Sequence, residues 1–324
     1  MRLVMMGTGT FAEPLFEALF AGSHQVVGLV TQPDRAVGAE RGSTRQVGRG
    51  LKAIAVEHGV AVYQPESINT PEGVAALQAW QPDLLVVAAY GQILSKDVLS
   101  VPPRGGINVH ASLLPKYRGA APVSWAIAAG EKQTGVTIIR MSVALDAGDM
   151  LAQETLEIGP EETAGELESR LAILGSRLAL EVIEKIASGM VAGIPQDKSQ
   201  ATKAPKVTKE HGLIDWTKPA EAICCHVRAM QPWPTAYSYW HRTGQAPVRI
   251  IVCRAVALPE TTSAPPGELL IRPDEPTRML VASGGGNIVE ILELQPAGKK
   301  RMTAADYLRG RRLEAGDRLG REAP

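Results

Sequence analysis

Four short apolar runs, each separated from the next by helix-patterned chain, fix the fold class through residue 89. The runs cover residues 3–6, 26–30, 60–63 and 84–89, and the helical spacings between them end near Phe20, His58 and Trp80. A β-α-β-α-β-α-β order of this kind calls for a mostly parallel sheet with helices on both faces. The next strand, residues 107–110, alternates instead. Its polar members Asn108 and His110 stand two residues apart and so point to the same side. Polar side chains near the carboxyl end of a strand in an open α/β sheet lie where such sheets bind ligands. An amide and an imidazole on one face can act together on one small group. They can equally be a sheet-edge pair bonded to its own loop, and a third group is needed to decide.

The length, 324 residues, is comfortable for two domains. Hydrophobic residues make up 45% but aromatic ones only 4%, so the core has to be built from Val, Leu, Ile and Ala. Lys+Arg and Asp+Glu balance at 34 each, so charge has to be read locally. Three cysteines give no disulfide framework, which fits a reducing compartment. The apolar start, residues 1–7, is far too short to span a bilayer. No membrane association is expected, and a cytoplasmic location is.

Gly7-Thr8-Gly9-Thr10-Phe11-Ala12 matches the loose dinucleotide pattern G-x-G-x-x-[GA]. The second strand ends in Thr31-Gln32-Pro33 with no acid to hold a ribose, which favours a plain strand–helix turn. Residues 35–52 carry Arg35, Arg41, Arg45, Arg49 and Lys52 against a single Glu40, with four glycines and almost no apolar anchor. This is either a solvated loop or a cationic one that orders on phosphate oxygens, as contacts that position a nucleic acid do. Thr163 and Glu166 read as a capping box. Leu167, Leu171, Leu174, Leu178, Val182 and Ile186 then form the stripe of a long amphipathic helix ending at Gly189. Composition changes at Ile194. Residues 1–193 read as one domain, 194–212 as a polar, basic linker, and 213–324 as one helix followed by short strands with Gly/Pro turns, a small β-barrel-like module. Cys224, Cys225 and His226 are adjacent, so on a helix they do not face one another, and no metal is expected.

Asp146, in the sequence Leu145-Asp146-Ala147-Gly148-Asp149, supplies the third group. If the sheet strands end on one side, the loop after residues 135–141 can fold over Asn108 and His110. Asn108 can then donate to an oxygen gaining negative charge. His110 can do the same while the carboxylate fixes its tautomer or accepts a proton. No Ser or Cys occupies a G-x-S-x-G context. The chemistry is that of direct transfer between two bound substrates, through a tetrahedral intermediate and without a covalent enzyme adduct.

Ile107-Asn108-Val109-His110-Ala111-Ser112-Leu113-Leu114-Pro115, Arg118-Gly119-Ala120-Ala121-Pro122 and Leu145 to Met150 together resemble the signature of the folate-dependent formyltransferases. Ile214-Asp215-Trp216, Pro232-Trp233-Pro234 and Leu294-Gln295-Pro296-Ala297-Gly298-Lys299-Lys300 resemble the tRNA-modifying branch of that family. The resemblance implies an open, mostly parallel Rossmann-like α/β sheet and a smaller C-terminal β-barrel (OB-like) domain. It implies transfer of formyl from 10-formyltetrahydrofolate to the α-amino group of methionine on initiator tRNA, by a monomer, with Asn108, His110 and Asp146 as the catalytic trio. Ala88, Ala89, Tyr90, Gly91, Gln92, Ser112, Leu113, Leu114 and Pro115 would hold the folate donor. Arg41, Arg45 and Arg49 of the basic loop, with Lys203 and Lys206 of the linker, would contact tRNA. The chain departs from the family pattern at Gly9, where proline is usual, and at Ala144 and Ala147, where glycine and threonine are.

The same trio would serve formylation of a small amine, such as an amino sugar nucleotide or glycinamide ribotide, or hydrolysis of the donor. A small acceptor gives no need for the C-terminal module. A non-catalytic RNA-binding protein would not need Asn108, His110 and Asp146 together.

Overall fold

Strands β1 (Arg2–Gly7), β2 (Gln25–Val30), β3 (Ala61–Tyr63) and β4 (Leu84–Ala88) form because their apolar runs are short and continuous. Such runs can be buried on both faces of a sheet. Leu3 to Met6 and Leu84 to Val86 have no exposed surface at all. Helices α1 (Glu13–Phe20), α2 (Leu51–Glu57) and α3 (Pro71–Trp80) alternate with them, and a single turn, α4 (Lys96–Leu99), follows β4. The start of α3 shows how the sequence sets a boundary. Thr70 accepts the backbone N–H of Gly73 at 3.1 Å, and Pro71 takes the first helical position, where its missing N–H costs nothing. The computed structural model describes residues 1–34 and 48–322.

The sheet continues with β5 (Gly106–His110), β6 (Gln133–Arg140) and β7 (Met150–Glu157), with α5 (Pro122–Ala128) between the first two and α6 (Ala164–Ala187) after the last. Strand order is β3-β2-β1-β4-β5-β6-β7. The first five pair in parallel, and β6 and β7 are antiparallel. The sheet is thus Rossmann-like and mostly parallel. Val4, Met6, Val30, Leu77, Leu85, Val87 and Tyr90 share one buried cluster. Aliphatic side chains make up most of this cluster, each contributing roughly 1.5–3 kcal/mol by leaving water, and Tyr90 is its buried aromatic member. The leucine stripe of α6 is packed, with Leu167, Leu171, Leu178, Val182 and Ile186 all buried.

The chain divides into two compact units. The first comprises Met1–Val123, Lys132–Gly159 and Gly165–Lys206, and the second Ser124–Glu131, Pro160–Ala164 and Val207–Pro324. The stretch 194–212, expected as a linker, is therefore folded onto the first unit as far as Lys206. Ile194 and Met150 exchange both backbone hydrogen bonds, at 2.8 and 2.9 Å. Further on, the Arg118 N–H donates to Thr202 O at 2.9 Å, and the Ala204 N–H donates to Arg118 O at 2.7 Å. This strap pairs through its backbone, and its basic composition comes from the exposed Lys198, Lys203, Lys206 and Lys209.

In the second unit, α7 (Ala220–Ala229) precedes the strands β8 (Ala236–His241), β9 (Val248–Thr261), β10 (Leu269–Leu270), β11 (Met279–Ala282) and β12 (Asn287–Pro296). Two residues of β13 (Met302–Thr303), helix α8 (Ala304–Arg309) and β14 (Arg318–Gly320) complete it. All strand pairs are antiparallel, in the order β10-β11-β12-β9-β8-β14, with β13 on β12. The two ends of that sheet meet: Glu268 bridges Arg318, the Leu269 N–H donates to Asp317 O at 3.0 Å, and the Leu319 N–H donates to Gly267 O at 2.7 Å. The result is a nearly closed barrel around Trp240, Ile250, Val252, Leu280 and Leu294. Among the described residues, no helix is long and apolar enough to cross a membrane.

Barrel closure passes through Gly267, whose φ is +90° and where an added Cβ would lie 2.3 Å from Leu319 O. Gly267→Ala should therefore destabilise the second unit by at least about 1 kcal/mol, since alanine is strained at positive φ and the clash is with backbone. Denaturant unfolding followed by tryptophan fluorescence checks this, and an unchanged midpoint would contradict the account of closure.

Candidate active site

β5 places Asn108 and His110 on one face of the sheet, His110 at its last position. Asp146 reaches that face by a different route from the one the sequence suggests. Because β6 runs antiparallel to β5, it ends beside the beginning of β5, with Arg140 opposite Ile107 and the Met141 N–H donating to Gly106 O at 2.8 Å. The loop between β6 and β7 must then double back to bring Asp146 to both residues. It does so with Asp146 at φ +47° and with Gly148 in a position where a Cβ would sit 1.7 Å from Arg140 O.

The three side chains meet. Asn108 Nδ2 is 3.4 Å from Asp146 Oδ1, and His110 Nδ1 is 3.7 Å from Asp146 Oδ2. The His110 and Asp146 side chains are only 6% and 9% exposed. Asp146 Oδ2 also accepts the backbone N–H of Gly119 at 2.9 Å. Gly119 has φ +126°, and a Cβ there would lie 2.5 Å from Ala204 O, so the strap passes directly over it. On its other side, His110 Nε2 lies 2.9 Å from the carbonyl oxygen of Tyr117. A carbonyl oxygen only accepts, so Nε2 carries the hydrogen and donates. The Tyr117 carbonyl thus fixes the tautomer, and of the two roles open to the carboxylate it is left with accepting a proton. The arrangement leaves an amide donor, an imidazole Nδ1 and a carboxylate converging on one region.

Residues without an obvious sequence signal hold this region in place. Thr137 Oγ1 donates to Ser112 O at 2.7 Å and accepts the Leu114 N–H at 3.1 Å. Gln153 Nε2 donates to Leu114 O and to Thr137 Oγ1, at 3.0 and 2.8 Å. Gln196 touches both the Asp146 loop and Arg118. Of the residues in these contacts, Ser112, Leu114 and Arg118 fall within the family signature, while Gln153 and Gln196 carried no cue.

The other expected site residues divide by which of their atoms are accessible. Ala88 is buried at the end of β4, Ala89 and Gly91 have positive φ and are exposed, and Tyr90 points into the core with 2% exposure. Burial pushes the Tyr90 hydroxyl well above its ordinary pKa. Gln92 spends its amide on the chain itself, accepting from the Ile68 N–H at 3.0 Å and donating to Glu66 O at 3.1 Å. Ser112 is fully buried and donates to Lys116 O at 2.7 Å; Leu114 is buried, while Leu113 and Pro115 are half-buried. This loop pair therefore presents backbone and small apolar surface, and the Tyr90, Gln92 and Ser112 side chains face inward. Arg41 and Arg45 lie outside the described residues. Arg49 is paired with Glu17 at 2.7 Å and with Glu57. Lys203 and Lys206 are exposed on the strap. Beyond β2, hydrogen bonds from Lys52 and Gln64 hold the exposed Asp34 carboxyl below its usual range. Burial pushes the Cys224 thiol up to about 12, which keeps it protonated, and lowers the pKa of His226.

Comparison with known proteins gives this geometry a family. Residues 1–183 match the formyl transferase family and residues 206–312 the formyl transferase C-terminal domain. A methionyl-tRNA formyltransferase of Solibacter usitatus (strain Ellin6076) is 45% identical over 320 residues, covering 99% of both chains. One from Bacillus subtilis (strain 168) is 40% identical over 319 residues, covering 98% of each. Among solved structures, an N-formyltransferase from Helicobacter canadensis in complex with folinic acid and dTDP-3-aminofucose superposes with a TM-score of 0.66. It is 16% identical and covers 91% of this chain and 98% of its own, a likeness of fold. On these matches, the chain belongs to the formyl transferase family, in its methionyl-tRNA formyltransferase branch.

Proposed function

We propose that this protein transfers the formyl group of 10-formyltetrahydrofolate to the α-amino group of methionine on initiator tRNA, in the cytoplasm. The observation that carries the reading is the convergence of Asn108, His110 and Asp146 in one nearly buried cluster. The folate donor supplies an activated one-carbon carbonyl. Backbone at Ala89 and Gly91 and the half-buried Leu113 and Pro115 are the surfaces of this chain suited to hold it. Side chains of Tyr90, Gln92 and Ser112 would act only by shaping those loops.

Within the trio the roles follow from donors and acceptors. The attacking amine must be neutral, and the proton it gives up on forming the new C–N bond passes to the His110–Asp146 pair. The formyl oxygen gains negative charge at the same moment, and Asn108 Nδ2 donates to it. His110 can donate only through Nδ1, because Nε2 is committed to Tyr117 O. It does so once Nδ1 is protonated, with the Asp146 carboxylate beside it to balance the charge. The proton then returns to the departing donor nitrogen. Lys203 and Lys206, with arginines of the basic segment, would lie along the tRNA backbone.

With charged initiator tRNA and the folate donor, the protein should form formylmethionyl-tRNA; formate release without tRNA at a matching rate would overturn this. Asn108→Ala should lower turnover by about 10²–10³, the usual effect of losing one such donor, with donor binding nearly intact. Turnover close to wild type in that variant would remove Asn108 from the mechanism. For His110, the ¹⁵N spectrum of the neutral ring should show Nε2 protonated and Nδ1 bare, and the opposite pattern would contradict the Tyr117 contact. Finally, replacing Arg41, Arg45 and Arg49 together by Ala should raise KM for tRNA and flatten its salt dependence, by about one log–log unit per lost phosphate contact on duplex RNA. Arg49→Ala alone should contribute least, since its charge is already met by Glu17 and Glu57. A salt slope unchanged in the triple variant would make the segment an ordinary solvated loop.

A further inference from the structure

Gln196 lies on the strap after α6, in a polar stretch with no catalytic cue, yet its amide is completely used. Its Oε1 accepts from Arg118 Nε and Nη2, at 3.1 and 2.7 Å. Its Nε2 donates to the backbone carbonyls of Asp146 and Gly148, at 2.9 and 2.8 Å. A carboxamide has two hydrogens to give and two lone pairs to receive with, and all four are occupied. Two of the four contacts fall on the loop that bears the carboxylate.

Those two contacts matter because of how Asp146 is built. Its φ of +47° is a left-handed backbone, which costs a residue with a Cβ about 1–2 kcal/mol and needs support from its surroundings. Holding the carbonyls of residues 146 and 148 at one nitrogen fixes the turn at both ends. The direction in which the Asp146 side chain leaves the backbone is fixed with it, and this sets its distance from His110 Nδ1. The other half of the amide ties the same point to Arg118, next to Tyr117 and Gly119, which hold His110 and Asp146 from the opposite side.

We infer that Gln196 is a positioning residue for the His110–Asp146 pair, acting through the backbone of residues 146–148 without touching substrate. The inference rests on the formyl-transfer reading for its kinetic consequence, though not for its structural one. Two substitutions separate it from a simple surface tie. Gln196→Leu removes both halves of the clamp. Gln196→Glu keeps the shape and strengthens the Arg118 contact, but turns an oxygen toward two carbonyl oxygens and so loses only the Asp146 half.

Both variants should lower kcat about 10- to 100-fold, as misplacement of a catalytic group by up to an ångström does. KM for tRNA and for the folate donor should stay within about twofold, because neither substrate meets Gln196. The ring ¹H–¹⁵N signals of His110 should move in both variants, while those of His24, remote in the fold, stay in place. The melting temperature should be nearly unchanged in Gln196→Glu, which decides the matter should Gln196→Leu fold poorly. Wild-type kcat in Gln196→Glu would overturn the inference, since the Arg118 tie alone would then suffice. Undisturbed His110 signals would overturn it independently of any activity. Failure of the unmodified protein to formylate methionyl-tRNA would instead overturn the functional reading, with the His110 spectrum still deciding the role of Gln196.

Discussion

A carboxylate that is 9% exposed has to find its hydrogen-bond partners within the protein. Asp146 finds them in segments that are far apart in sequence. β5 brings the Asn108 amide, the turn ahead of α5 brings the Gly119 N–H, and the strap after α6 holds the loop backbone from which the carboxylate projects, with His110 Nδ1 3.7 Å away. Each segment is in turn fixed by another. Tyr117 holds His110 from its far side, and Ala204 lies so close to Gly119 that no side chain fits between them. The site is best understood as a set of loops drawn together by the need to satisfy one acid.

The sheet prepares this by changing direction where it does. On one side of β5 lies the parallel half, whose apolar strands form a rigid, dry support. On the other side β6 and β7 run antiparallel, which sends the loop between them back across the face. A fully parallel continuation would have placed that loop at the carboxyl edge and needed no return. The reversal makes the loop long, and a long loop carrying a left-handed aspartate is the part of the site most dependent on outside support.

Much of this was legible in the sequence. Continuous apolar runs announced the buried strands, and alternation through residues 107–110 announced a strand with one polar face. Gly and Pro turns after residue 230 announced a small β module. Asn108 and His110 showed as a polar pair on one strand face, open to a sheet-edge reading until Asp146 offered a third group. The route of Asp146 did not show, because strand direction is a property of pairing and not of the strand itself. The strap did not show either, because backbone pairing leaves no trace in side-chain pattern. Gln196 and Gln153 were invisible for a related reason: an amide in a polar stretch looks the same whether it faces water or two carbonyls. β13, α8 and β14 are too short to display a period.

The closing of the barrel also bears on the order in which the chain can fold during synthesis. Its seam joins residues 267–269 to residues 317–319, about fifty residues later. Every residue of the first unit has been made before the first seam strand has, so the α/β sheet can consolidate while the barrel is still an open sheet with two unpaired edges. Exposed edges of that kind pair readily with other chains. Until β14 is made, the β8 and β10 edges that it later joins stay unpaired.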